Sequence, residues 1–134
     1  MYLVDTNIFL EILLSQAQKD ICKEFLVANA EDLYISDFSL HSIGVILFRS
    51  DKESVFKNFA QDIIHQVQIL SISEKAYVAL SDTKKRYGLD FDDAYQFMIA
   101  KEYELSIVTQ DKDFNPNISR VDLDGSAVLQ VAKL

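Results

Sequence analysis

Four short apolar runs recur along this chain, at residues 2–4, 33–36, 67–70 and 106–109, separated by segments with helical spacing. Such short runs, apolar on both faces, read as buried strands, and strands alternating with helices build a parallel sheet sandwiched between helices. Turn residues agree with that reading. With 3 Gly and 1 Pro, the chain lacks the material for the many tight turns of an all-β sandwich or barrel. Its 134 residues are the size of one domain, and no repeat, low-complexity tract or linker divides them, so a single domain over 1–134 is expected.

The segments between strands predict the helices. Thr6 and Asn7 are expected to cap a helix reaching about Leu14, and a second helix is expected over 16–28 with Ile21, Phe25 and Leu26 on one face. A third spans 38–48, with Leu40, Ile43 and Leu47 in register. Ser50 followed by Glu53, and Ser71 followed by Glu74, have capping-box spacing and predict two more helix starts. The first would bury Val55, Phe56, Phe59 and Ile63. The second would run to about Tyr87, with Gly88 as its C-terminal cap. Asp90-Phe91-Asp92-Asp93 opens a helix to about Glu104, with Ala94, Phe97, Met98 and Lys101 on one side. Weak strands at 119–121 and 128–131 complete the pattern.

Charge narrows the function. Lys and Arg number 13 against 21 Asp and Glu, a formal charge of −8. That sign opposes general duplex-DNA binding, which neutralises phosphates, and suits either a protein that gathers carboxylates around a divalent cation or simple solubility, between which net charge does not choose. The single cysteine, Cys22, excludes a disulfide framework and a cysteine-based zinc site; mid-helix, it reads as a small buried hydrophobe. It also fits a reducing cytoplasm, where the protein is expected, because Asp5 interrupts the apolar start of any signal segment. Gly-rich phosphate loops are absent, against a P-loop enzyme. Most Phe and Tyr fall at helical core spacing, so they read as core rather than as base-stacking platforms. Lys84-Lys85-Arg86, the one dense basic run, has two readings: a guide for RNA phosphates, or the end of a helix, where the dipole favours cations without any ligand.

In parallel α/β folds ligands bind at the carboxyl ends of strands, near a reversal of strand order. Acids stand at those ends. The first strand runs into Asp5, the second into Ser36-Asp37, the fourth into Thr109-Gln110-Asp111, and the helix before the fourth opens on Asp92-Asp93. Clustered carboxylates repel unless a cation or hydrogen bonds compensate them, and a hard cation such as Mg²⁺ or Mn²⁺ takes oxygen ligands. Such a site can steady a phosphodiester under attack by water. Capping is the competing account of the same acids, and it is the expectation for Asp90 and Asp92.

The wording around the acids resembles a known family. Val4-Asp5-Thr6-Asn7 resembles the opening of PIN-domain proteins, Ile35-Ser36-Asp37-Phe38-Ser39-Leu40 the segment after their second strand, and Asp93-Ala94 with Ile107-Val108-Thr109-Gln110-Asp111-Lys112-Asp113-Phe114 their C-terminal signature. The three segments stand in the right order over residues 1 to about 114. The resemblance, to PIN-domain proteins of the VapC-like toxin ribonuclease kind, implies a three-layer α/β/α sandwich with a central, mainly parallel sheet. It also implies an Mg²⁺- or Mn²⁺-dependent ribonuclease acting on RNA, an antitoxin protein as partner, and homodimers. By that resemblance Asp5, Asp93 and Asp111 would be the catalytic metal ligands, with Asp113 a further ligand. Asn7 and Thr109 would fix the carboxylates. Apart from the resemblance, Lys112 directly follows Asp111 and is the basic residue placed to contact an RNA phosphate. The family's usual Glu on the helix after the second strand is Ser42 here, with His41 beside it. Ser42 through water, His41 as a neutral ligand, or Asp37 are the groups that would offset its loss.

Two other readings stay open. One is a PIN-like domain weakened in catalysis by Ser42 and serving as an RNA-binding or protein-interaction module. The other is a metal-dependent phosphatase on a doubly wound fold, for which the Asp5 and Asn7 pair is incomplete, since a second Asp is needed two residues on.

Overall fold

The computed structural model describes residues 1–110, with the backbone of 120–122 and 131–132. The chain runs β1 (Tyr2–Val4), α1 (Thr6–Leu13), α2 (Lys19–Ala28), β2 (Leu33–Ser36), α3 (Asp37–Arg49), α4 (Glu53–Gln66), β3 (Gln68–Leu70), α5 (Glu74–Val78), α6 (Leu80–Tyr87), α7 (Phe91–Glu102), β4 (Ser106–Thr109), β5 (Arg120–Asp122) and β6 (Val131–Ala132). The strand order is β3-β2-β1-β4-β5-β6; every pair is parallel except β5 with β6. The mainly parallel sheet expected from the alternation is therefore present.

Strand residues alternate between two cores, which makes the fold three-layered. Leu3 and Ile107 face the core formed with Ala76, Leu80, Ala94 and Phe97 from α5, α6 and α7. Val4, Ile35 and Val108 face the other, with Ile8 and Phe9 from α1, Cys22 from α2, Ile43 and Leu47 from α3, and Phe59 and Ile63 from α4. The helices α3 and α4 meet closely at Gly44, where a Cβ would lie 3.2 Å from the Phe56 ring.

Several predicted boundaries move, each for a local reason. Asp5, not Thr6 or Asn7, caps α1: extended at φ −74°, it accepts the Thr6 amide at 2.8 Å. The next helix starts at Lys19 rather than 16, because the Glu11 carboxylate accepts the Gln18 amide and holds a turn there. Ser50 opens no helix. The α3 period continues through Arg49, so Ser50 ends that helix and its hydroxyl donates back to the Ile46 carbonyl. Ser71 likewise gives way to Ser73, whose hydroxyl accepts the Ala76 amide at 3.3 Å, because Ile72 is first buried in the core. The helix predicted to reach Tyr87 breaks at Ala79 into α5 and α6, and Gly88 closes α6 at φ 68° as expected. The last two strands fall at Arg120–Asp122 and Val131–Ala132. No helix among the described residues is long and apolar enough to cross a membrane.

Candidate functional site

The sheet reverses direction of growth at β1. The chain leaves it for β2 and β3 on one side and returns as β4 on the other. Carboxyl ends of β1 and β4 are thereby neighbours, and the Asp5 amide donates to the Val108 carbonyl at 2.9 Å.

Asp5 is 9% exposed, and Thr6, Gln96 and Thr109 donate to its carboxylate. Its Oδ1 accepts the Thr6 amide at 2.8 Å and the Gln96 side-chain amide at 3.1 Å, and its Oδ2 accepts the Thr109 hydroxyl at 2.8 Å. Hydrogen bonds to a carboxylate are strong, and donors on both oxygens fix its plane. A further layer holds those donors. Ser39, fully buried on α3, accepts at Oγ from the Thr6 hydroxyl and the Gln96 amide, both at 2.9 Å. Asn7 donates to the Thr109 hydroxyl at 3.2 Å and accepts the Gln110 amide at 3.2 Å.

In front of Asp5 lies an open cavity of about 310 Å³, lined by Asp5, Thr6, Asn7, Ser42, Asp92, Asp93 and Gln96, with Leu10, Phe38 and Ile46 as apolar wall. Asp93 reaches it because Asp90 caps α7, accepting the Asp93 amide at 3.0 Å, and so sets the helix to open beside the β1 end. Asp90 is thus a cap, as expected, whereas Asp92 lies on the cavity rim. Partial burial, then the nearby Asp90 charge, push the Asp92 carboxyl above the usual range.

The structure brings Asp5, Asp93, Ser42 and Asn7 to one cavity, with Thr109 behind Asp5. It separates others. Asp37 and His41 line a different cavity from Ser42, so neither stands in for the carboxylate that a Glu at position 42 would bring. Asp111, Lys112 and Asp113 lie outside the described residues. Among the described residues no group of three or more His, Cys, Asp or Glu is placed to hold a metal ion. Cys22 is buried, and burial followed by the Glu11 charge pushes its thiol up to about 11, which rules it out as a nucleophile at neutral pH.

Gln96 escaped the sequence reading. It is 2% exposed, and its Oε1 is buried with no hydrogen-bond partner among the described residues. Its signal was available: a polar residue three positions after Asp93 lies on the same helix face. The donors at this cavity are carboxylate, hydroxyl and amide oxygens, with no thiolate or imidazole, a set that suits Mg²⁺ or Mn²⁺.

No curated protein is similar to the chain in sequence. Solved structures are similar in fold. A toxin–antitoxin complex from Klebsiella pneumoniae is 23% identical, with 84% of this chain and 89% of that chain covered at a TM-score of 0.69. VapC20 of Mycobacterium tuberculosis, described as a sarcin–ricin loop cleaving toxin, is 16% identical over 85% of this chain and 92% of its own, at 0.70. VapBC-1 from nontypeable Haemophilus influenzae is 17% identical over 91% and 97%, at 0.70. At these identities the likeness is one of fold. The PIN domain model matches residues 2–117 directly, and the chain therefore belongs to the PIN domain family.

Proposed function

We propose that this protein is a divalent-cation-dependent endoribonuclease and the toxin of a toxin–antitoxin pair. The observation that carries the reading is that Asp5 and Asp93, far apart in sequence, line one cavity at the carboxyl end of the sheet. Family membership supports it, as does the fold shared with VapC20, itself described as a sarcin–ricin loop cleaving toxin. In this reading Asp5, Asp93 and Asp111 hold Mg²⁺ or Mn²⁺, with Asp113 as a further ligand and Lys112 against the RNA backbone. Bound there, the cation supplies Lewis-acid stabilisation of the phosphodiester. The chain's own contribution is positional. Thr109, Gln96 and the Thr6 amide keep the Asp5 carboxylate in one plane, and Asn7 orients Thr109. Residues 1–134 act as one unit, in the cytoplasm and as a homodimer, with an antitoxin as protein partner.

The test is cleavage of a mixed, labelled RNA pool with Mn²⁺, Mg²⁺ or EDTA, alongside Asp93→Asn. Cleavage that needs both the cation and Asp93 is the expected result. Equal cleavage by Asp93→Asn overturns the assignment. Ser42 lines the cavity without bringing charge, which favours a second reading, a binding module weakened in catalysis. Ser42→Glu separates the two: it raises cation affinity and cleavage in an otherwise intact nuclease, and leaves an EDTA-indifferent binding module unchanged.

A further inference from the structure

Beside the acidic cavity, sharing Phe38 as a wall, lies a second open cavity of about 340 Å³ lined by Asp37, Phe38, His41, Tyr77, Phe91 and Tyr95. Its aromatic rings converge on Tyr95, with centroid distances of 5.5 Å from Phe38, 5.8 Å from Tyr77 and 6.4 Å from Phe91. Two of these rings are left in water, Tyr77 at 51% and Phe91 at 56% exposure, unlike the core aromatics expected from helical spacing. Polar groups stand among them. The Tyr95 hydroxyl donates to Asp37 Oδ1 at 2.6 Å, and the Phe38 amide donates to the same oxygen at 2.8 Å. No hydrogen bond among the described residues reaches Asp37 Oδ2. Burial, then hydrogen bonds to Asp37 and Tyr77, push the Tyr95 phenol up, so it stays a donor that anchors the carboxylate.

The lining selects its ligand class. A phosphate is repelled by Asp37 on a chain of net charge −8. An apolar helix would cover the Asp37 carboxylate without giving it a partner. A nucleobase meets both demands: its face stacks on the rings, and an N–H on its edge reaches Asp37, with the His41 imidazole beside it. Position agrees, because Phe91 directly precedes Asp92 and Asp93 on α7, and His41 directly precedes Ser42 on α3. We propose that this cavity is a nucleobase subsite, which holds one base of a single-stranded RNA while an adjoining phosphate lies at the acidic cavity. The proposal rests on the ribonuclease reading above and names how its substrate is held. Every base carries a ring face and an N–H, so the subsite contributes affinity for unpaired RNA rather than the identity of one base.

The test compares a fluorescein-labelled RNA pentanucleotide with the same pentanucleotide carrying abasic riboses, by anisotropy, on the full chain with Ca²⁺ in place of Mg²⁺ or Mn²⁺. The base-bearing probe should bind at least about fivefold more tightly than the abasic one. Phe91→Ala and Tyr77→Ala, each at an exposed ring, should remove that difference without loss of fold by circular dichroism. Equal affinity for the two probes, no binding of either, or a difference that survives both variants overturns the subsite. So does sedimentation showing that Phe91→Ala splits a dimer, because a second copy would then cover the cavity. The binding readout needs no cleavage. RNA cleavage without base-dependent binding sinks only the subsite, and base-dependent binding without cation-dependent cleavage sinks only the ribonuclease reading.

Discussion

Replacing Thr109 by valine deletes one hydroxyl and keeps the shape of a side chain fully buried at the end of β4. Two hydrogen bonds among the described residues go with it: the 2.8 Å donation to the Asp5 carboxylate, and the 3.2 Å bond accepted from the Asn7 amide. A buried hydrogen bond to a charged group contributes about 1.5–3 kcal/mol. Asn7 is only half-buried, so its stranded amide recovers water and adds less, roughly 0.5 kcal/mol. The expected destabilisation is therefore about 2–3.5 kcal/mol, a large part of a stability of roughly 5–15 kcal/mol but not enough to unfold the protein. Urea titration at pH 7 measures it. A double-mutant cycle with Asp5→Asn locates it, since the two residues should couple by about 1–2 kcal/mol, the charge-assisted part of the bond. A Thr109→Val cost below about 0.5 kcal/mol, or strict additivity with Asp5→Asn, would refute the claim that Thr109 holds the Asp5 carboxylate.

Three further outcomes follow from other parts of the molecule. Gln96→Leu removes two hydrogen bonds but also the buried, unpartnered Oε1, so unfolding free energy should change by less than about 1 kcal/mol. Mn²⁺ affinity by calorimetry should fall roughly 10- to 100-fold, and unchanged affinity would remove Gln96 from the site. Gly88→Ala meets nothing within 4 Å but must keep φ near 68°, so it should cost about 1 kcal/mol in urea through the backbone alone. Cys22 should react with Ellman's reagent at pH 8 only as fast as the chain opens, and rapid labelling of the native protein would contradict its burial. Its folded-state pKa is raised, so the unfolded chain ionises first, and stability should fall as pH climbs from the ordinary thiol range toward about 11.

Much of this architecture was legible in the sequence because it rests on local periodicity. Short doubly apolar runs must be buried on both faces, and the alternation of Leu3 with Val4 and of Ile107 with Val108 across the sheet is that demand met. Helix phase was legible too, as with Ile43 and Leu47 on α3. Helix caps were less so, since a cap depends on where the preceding element stops. Ser50 and Ser71 carried the right spacing, but α3 ran on through Arg49 and Ile72 was drawn into the core before the next helix began.

By itself, then, the sequence determined a layered parallel fold and which acids stand at strand ends, through burial patterns that each segment carries within itself. Which of those acids meet was decided only by the tertiary structure. Placing β1 between β2 and β4 brings Asp5 against Thr109, and the packing of α7 on the sheet turns Asp93 and Gln96 toward the same cavity. The rotation of α3 sends Ser42 into that cavity and His41 with Asp37 into its neighbour. These are relations between elements, set by the joint burial of both sheet faces, and no single segment encodes them.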